Sequence, residues 1–168
     1  MKILNSLPSD IDTIFDIYDK ATAFQKQHTS RSWLGFERDL VLKEISEGRQ
    51  WKIVMGDEIA CVFVTSFNDP DIWKEKDTDP AVYLHRIATH PDFRGKGFVK
   101  LIVEWTKDHA KENGKKFIRM DTGSGNEKLN QYYIGCGFNY LGITSVDPEA
   151  DLPQHYKMGD YSLFEIEL

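Results

Sequence analysis

The sequence predicts an α/β protein (α+β in some schemes) built on a mixed, mainly antiparallel central sheet flanked by helices. Three observations carry this expectation. Apolar residues recur at helical spacing over Ile11–Ala21 and again from Phe98 onward. Between these segments lie short runs rich in β-branched and aromatic residues. Two of them, 51–55 and 59–67, are separated by Gly56-Asp57, a hairpin signal. Finally, residues 81–121 read strand, turn, helix, strand, the order of a right-handed parallel unit.

In chain order, KILNSL (2–7) reads as a first strand. Pro8-Ser9-Asp10 opens a helix with Ser9 as its cap, and Ile11, Ile14, Phe15, Tyr18 and Ala21 form its apolar face. A second helix spans about 36–47, ending at Gly48. The hairpin 51–67 follows. Residues 68–80 are acidic and turn-rich and read as an exposed loop. A strand over 81–89 stops at His90-Pro91. The helix from Phe98 to Glu112 places Phe98, Leu101, Ile102, Trp105 and His109 on one face and ends at Asn113-Gly114. A strand at 116–121, a turn at Gly123-Ser124-Gly125 and a short helix capped by Asn126 come next. Strands at 138–144 and 160–167, joined by a loop with Pro148 and Pro153, close the chain.

The length, 168 residues, fits one domain, 1–168. The net charge of −6 argues against a nucleic-acid partner and slightly favours cationic small molecules. No apolar run approaches the roughly 20 residues that span a bilayer, so no membrane partner is expected. Two cysteines, Cys61 and Cys136, make no disulfide framework, and the short apolar run before Asn5 makes no signal peptide, so the chain reads as cytoplasmic. His28, His90, His109 and His155 are scattered, with no metal-ligand spacing.

The turn RGKGFV, 94–99, carries the functional reading. A helix start offers unpaired N–H groups and a positive macrodipole, and glycine lets backbone approach an anion. Arg94, Gly95, Lys96 and Gly97 lie between a strand end and a helix start, with two cations at hand for phosphate. Read alone, the turn is equally a solvated connection. Lys100 replaces the last glycine of G-x-G-x-x-G, and no Gly-Lys-Ser/Thr follows as in a Walker A loop.

The stretch YLHRIATHPDFRGKGF resembles the central motif of the GCN5-related N-acetyltransferase (GNAT) family, Arg/Gln-x-x-Gly-x-Gly/Ala. Arg94 and Gly97 match, whereas Val99 stands where the family prefers Gly or Ala. Downstream, DTGSGNEKLNQYYIGCGF resembles the family's Asn…Tyr-x-x-x-Gly-Phe segment, through Asn126, Tyr133, Gly137 and Phe138.

The resemblance implies the acyl-CoA N-acyltransferase fold, acetyl-CoA as cosubstrate and no metal. It implies that acetyl-CoA lies in a split between two central strands, with its pyrophosphate on the N–H groups of Gly95, Lys96, Gly97, Phe98 and Val99. The strand end Ile87-Ala88-Thr89 pairs with the pantetheine arm as an added strand would, and Asn126 reaches the arm from the other wall. The expected reaction is direct attack of a primary amine, on a small molecule or peptide, on the thioester. Tyr133 matches the tyrosine that protonates the leaving thiolate, with Tyr132 as second choice. The base stays open between His85, a carboxylate of loop 69–79 and water. Straight alternation puts Tyr83, His85, Ile87 and Thr89 on one strand face and Leu84, Arg86 and Ala88 on the other. Arg86 is read either as pairing a substrate carboxylate or as pairing an acidic neighbour. Trp33 and Phe36 sit where the family usually contacts the acceptor, or are core. Dimers are common in the family, which leaves room for a homodimer. The alternative activity is a non-catalytic CoA-binding or regulatory module of the same fold.

Overall fold

The computed structural model describes residues 1–147, 149 and 159–168; Pro148, Pro153 and His155 lie outside these. Seven strands form a mostly antiparallel sheet in the order β1-β2-β3-β4-β5-β7-β6. They are β1 (Lys2–Asn5), β2 (Gln50–Met55), β3 (Glu58–Ser66), β4 (Ala81–Thr89), β5 (Phe117–Gly123), β6 (Asn139–Ser145) and β7 (Asp160–Glu167). The helices are α1 (Ile11–His28), α2 (Arg38–Ser46), α3 (Pro70–Trp73), α4 (Phe98–Glu112) and α5 (Glu127–Gly135). The chain divides into two compact units, residues 1–65 with 85–98 and residues 66–84 with 99–168. Strand β4 contributes Ala81–Leu84 to the second and His85–Thr89 to the first.

In the first unit, β1 and β2 pair antiparallel from Lys2↔Val54 to Asn5↔Trp51, and β2 and β3 form the hairpin that Gly56-Asp57 announces. The apolar face of α1 behaves as its spacing predicts: Ile11, Ile14, Ile17 and Tyr18 are buried in one cluster with Val41, Ile45, Val62 and Ala88. Ser9 does not cap this helix. A 3₁₀ turn over Pro8–Asp10 leads in, and the Asp10 carboxylate accepts from the Leu7 N–H at 2.7 Å and from Lys52 Nζ at 2.6 Å. A carboxylate so placed holds the positive helix start and a lysine at once. Trp33 and Phe36 pack at the edge of the cluster, their rings 5.9 and 5.1 Å from that of Tyr18.

In the second unit, β4 and β5 are parallel from Ala81↔Phe117 to Leu84↔Met120, as the strand–helix–strand order requires. Strand β7 pairs antiparallel with β5 and with β6. The residues expected to be an exposed loop are instead structured. Helix α3 and a 3₁₀ segment over Lys74–Thr78 bury Ile72 and Trp73 against Ala81, Tyr83, Tyr161 and Leu163. Two apolar side chains among acidic neighbours suffice to fold the segment inward. Helix α4 has the expected bounds, but its buried stripe runs through Val99, Ile102, Val103, Thr106 and Ala110. Trp105 and His109 sit half-buried beside that stripe with their rings stacked at 4.8 Å, and burial holds the His109 imidazole below its ordinary value.

Arg119 on β5 ties the second unit together. Its side chain is only 1% exposed. Its guanidinium donates to Asp79 at 2.6 Å, Glu165 at 2.8 Å, the Lys76 carbonyl at 2.6 Å and the Tyr83 hydroxyl at 3.2 Å. It also lies over the rings of Trp73 and Phe117 at 4.7 and 4.8 Å. Burying a guanidinium is tolerable only when its donors are this fully used. Arg119→Met should therefore cost about 3 kcal/mol in urea unfolding, because it strands Glu165 without its cation; a cost below about 0.5 kcal/mol would show that the network does not hold the unit.

Candidate acetyl-CoA site

His85–Thr89 forms the edge of the first unit's strand order, β1-β2-β3-β4. The edge begins with a backbone irregularity. Arg86 has φ +48°, a left-handed value that a side-chain-bearing residue adopts only when its surroundings enforce it. The enforcement is visible. Arg86 forms an ion pair with Glu44, both side chains less than a tenth exposed, and its guanidinium stands 4.8 Å from the Phe36 ring centroid and 5.6 Å from that of Tyr18. Of the two readings of Arg86, the acidic neighbour is the observed one. Straight face alternation fails across this residue, as it must where one residue leaves the extended conformation. Beyond it, Ala88 is buried in the first unit's cluster, and Thr89 Oγ1 donates to the Cys61 thiol at 3.6 Å. Burial pushes that thiol up to about 12, so Cys61 is inert packing. His85 is half-buried.

The strand end leads into the turn. His90 N–H donates to the Ala60 carbonyl at 2.9 Å, and a 3₁₀ turn over Pro91–Phe93 delivers Arg94. Gly95 and Gly97 take φ of +78° and +70°, which explains why glycine occupies both positions. A Cβ built on either would meet nothing within 4 Å, so the backbone faces open space. Among the described residues, no hydrogen bond engages the N–H of Gly95, Lys96 or Gly97. Three successive free donors ahead of a helix start are an arrangement that suits an anion, a candidate anion cradle. The Arg94 guanidinium lies 4.0 Å over the Phe24 ring, which stacks on His28. These contacts place a cation beside the cradle with its orientation already restricted. Phe98 is buried, which anchors the turn, and the Gly95–Gly97 stretch stays exposed.

Val99, Asn126 and Tyr133 belong to the second unit. Val99 is buried, so its branched side chain is packed away from solvent. Asn126 caps α5 as expected, its side chain accepting from the Leu129 N–H at 3.1 Å. That bond uses Oδ1 and leaves the Nδ2 donors for a ligand carbonyl. The Tyr133 ring packs edge-on against Phe164 at 5.3 Å and Phe138 at 6.4 Å, and its hydroxyl makes no hydrogen bond among the described residues. Burial, then the neighbouring Tyr132, Cys136 and Asp121, raise its phenol above the usual 10, so it holds its proton at neutral pH. Tyr132 bonds toward Cys136, which lowers that thiol's value against the larger raising effect of burial. Cys136 itself is buried, as a small apolar side chain is.

Two groups stand out that the sequence hardly signals. Glu44 sits mid-helix in α2 with no motif around it. Asp121 ends the apolar part of β5, and its nearness to Asp69, in the acidic stretch, arises only on folding. The one local hint at Asp69 is Asp-Pro, a helix-opening pair.

An exposed, glycine-shaped row of backbone donors between a strand and a helix of a mixed sheet is the arrangement that suits a phosphate-bearing ligand. Residues 14–138 match the Acetyltransferase (GNAT) family, and the chain belongs to that family. It is similar to the uncharacterised N-acetyltransferase YesJ of Bacillus subtilis, with 21% identity over 79% of this chain and 78% of that one. It is also similar to the uncharacterised N-acetyltransferase MJ1207 of Methanocaldococcus jannaschii, with 24% identity over 81% of this chain and 59% of that one. Among solved structures, a GNAT-family acetyltransferase from Listeria monocytogenes superposes with a TM-score of 0.77 at 23% identity, covering 99% of this chain and 94% of that one. The protein yncA of Salmonella typhimurium, solved with acetyl-CoA, gives 0.69 at 16% identity, covering 100% of this chain and 94% of that one. Among the described residues, no helix is long and apolar enough to cross a membrane.

The cap on α5 is separable from any role in binding. Asn126→Ala should cost about 1 kcal/mol of stability through the lost cap, and Asn126→Asp or Asn126→Ser should recover most of it. Equal melting temperatures for Asn126→Ala and Asn126→Ser would contradict the capping geometry.

Proposed function

We propose that this protein is an N-acetyltransferase, a single catalytic domain over residues 1–168, that moves the acetyl group of acetyl-CoA to a primary amine of a small molecule or peptide. Family membership supports the acyl-transfer class. The observation that carries the cofactor is the row of unengaged N–H groups at Gly95, Lys96 and Gly97, opening on free space. A pyrophosphate is the group such a row suits, with the N–H groups of Phe98 and Val99 continuing it at the helix start. Arg94 and Lys96 add charge. The backbone of Ile87, Ala88 and Thr89, on the first unit's edge, suits an extended pantetheine arm. The Asn126 amide is the second contact assigned to the arm. A site for acetyl-CoA also fits the two free, buried cysteines, which suit a reducing cytoplasm.

The chemistry needs two protons moved. The acceptor arrives as an ammonium of pKa about 10.4 and must lose one before it attacks. The neutral nitrogen then adds to the thioester carbonyl. The tetrahedral adduct collapses with loss of the C–S bond, and the departing thiolate takes its proton from Tyr133. Burial of that phenol keeps it protonated until then. The nitrogen loses its second proton as the adduct collapses, which offsets the one that Tyr133 gives to sulfur and regains; the products are the N-acetyl amine and free CoA, and the proton first shed by the ammonium is the net one released. His85 is a candidate acceptor for that proton, since its ordinary value near 6.5 suits a base at neutral pH.

Acetyl-CoA should raise the melting temperature, and ATP should not compete for the site. With an amine that supports thiol release, Tyr133→Phe should lower kcat by about 100-fold while changing the KM for acetyl-CoA little. Cofactor binding with no thiol release across amino acids, polyamines, aminoglycosides and peptide N-termini would favour the non-catalytic module instead.

A further inference from the structure

Helix α5 of the second unit and its cap carry three polar side chains at positions i, i+4 and i+7: Asn126, Asn130 and Tyr133. At 3.6 residues per turn they fall within an arc of about 60°, so one face presents all three. Asn126 is assigned above to the pantetheine arm and Tyr133 to the sulfur. Asn130, between them, is only 6% exposed. Its Oδ1 is buried and, among the described residues, has no hydrogen-bond partner. Its backbone N–H is already used within the helix, on the Asn126 carbonyl at 3.0 Å. Trp73 Nε1 and Ser162 Oγ are buried without partners too, on α3 and β7. Asn130 differs from these in its place, about one turn from the cap and about one turn from the phenol.

A buried amide oxygen without a partner destabilises the fold. A leucine here would fill a similar volume and leave nothing polar unpaired. The neighbours on the face do not need the amide. Asn126 bonds to the Leu129 N–H, and the Tyr133 ring is held by Phe164 and Phe138. A carboxamide carries a donor and an acceptor at its tip, and its last torsion is broad, so it can swing to meet a ligand amide. The spacing along the helix fits such a ligand. Tyr133, Asn130 and Asn126 succeed one another at rises of about 4.5 and 6 Å. In an extended pantetheine arm, ordinary bond lengths put the nearer amide nitrogen about 4 Å from the sulfur and the farther one about 5 Å beyond it.

We propose that Asn130 binds the amide of the pantetheine arm nearest the sulfur and leaves the farther one to Asn126. This rests on the acetyl-CoA reading above and adds a contact to it. The Asn130 carboxamide turns toward the arm, and its Oδ1 accepts from the ligand's amide N–H. The oxygen that is unpaired in the free protein is then paired in the complex. Fixing that amide restricts the two methylene groups beyond it, and with them the sulfur beside Tyr133. The contact recognises the arm and not the nucleotide.

The test measures Kd by calorimetry for two ligands, CoA and adenosine 3′,5′-bisphosphate, which has the nucleotide but no arm. The proteins are wild type, Asn130→Leu and Asn130→Ala. Neither substitution removes a hydrogen bond that the side chain makes to a described residue of the free protein, and the smaller alanine covers the case of a leucine that does not fit. Both variants should bind CoA about 10-fold more weakly, as the loss of one buried hydrogen bond implies. Both should bind the bisphosphate as wild type does. Asn130→Gln, which keeps the carboxamide, should recover part of the CoA affinity. A structural role for Asn130 would weaken both ligands together or neither. Unchanged CoA affinity in both variants, or equal weakening of the two ligands, therefore overturns the contact while the acetyl-CoA site stands. Failure of wild type to bind CoA sinks the acetyl-CoA reading itself, and the Asn130 contact with it.

Discussion

The buried pair of Glu44 and Arg86 is the constraint on which the first unit's part of the site depends. A left-handed residue inside a strand costs on the order of 1–3 kcal/mol, and it persists only where its surroundings fix it. Here an ion pair with α2 and the faces of Phe36 and Tyr18 do so. The consequence lies further along the chain. The strand resumes after Arg86 with Ala88 packed into the core, and it delivers His90 and the glycine turn from that new setting. Three residues drawn from α1, α2 and the link between them therefore govern where the backbone donors at 95–97 begin.

The second unit uses charge differently. Arg119 gathers Asp79, Glu165 and two aromatic faces into a satisfied network. Asp69, in the same unit, keeps its buried Oδ2 without a hydrogen-bond partner. Satisfied polar groups rigidify a core, whereas an unsatisfied carboxylate is a standing cost. Proteins keep such costs at functional sites more often than elsewhere.

Much of this was legible in the sequence because it is written locally. The period of α1 and α4, the Gly56-Asp57 hairpin, the bounds of β4 and the cap at Asn126 all depend on residues a few positions apart. What was illegible depends on pairs far apart in the chain. Ser9 gives way to Asp10 because Lys52, 42 residues on, reaches that carboxylate. The acidic stretch 68–80 folds inward because Ile72 and Trp73 find Tyr83 and Tyr161. Face alternation on β4 fails at Arg86 because Glu44 lies across from it, and Asp121 gains meaning only from Asp69. Local signals thus located the anion cradle, and only the folded chain located the carboxylates.

The central claim, that the N–H groups of Gly95, Lys96 and Gly97 receive the cofactor pyrophosphate, is open to direct observation by amide NMR. Titrating the protein with CoA should shift the amide resonances of these three residues strongly, as charge-assisted hydrogen bonds form. Pantetheine, which lacks the pyrophosphate, should leave them nearly unmoved. CoA binding that spares these amides, or pantetheine shifts of equal size, would contradict the account.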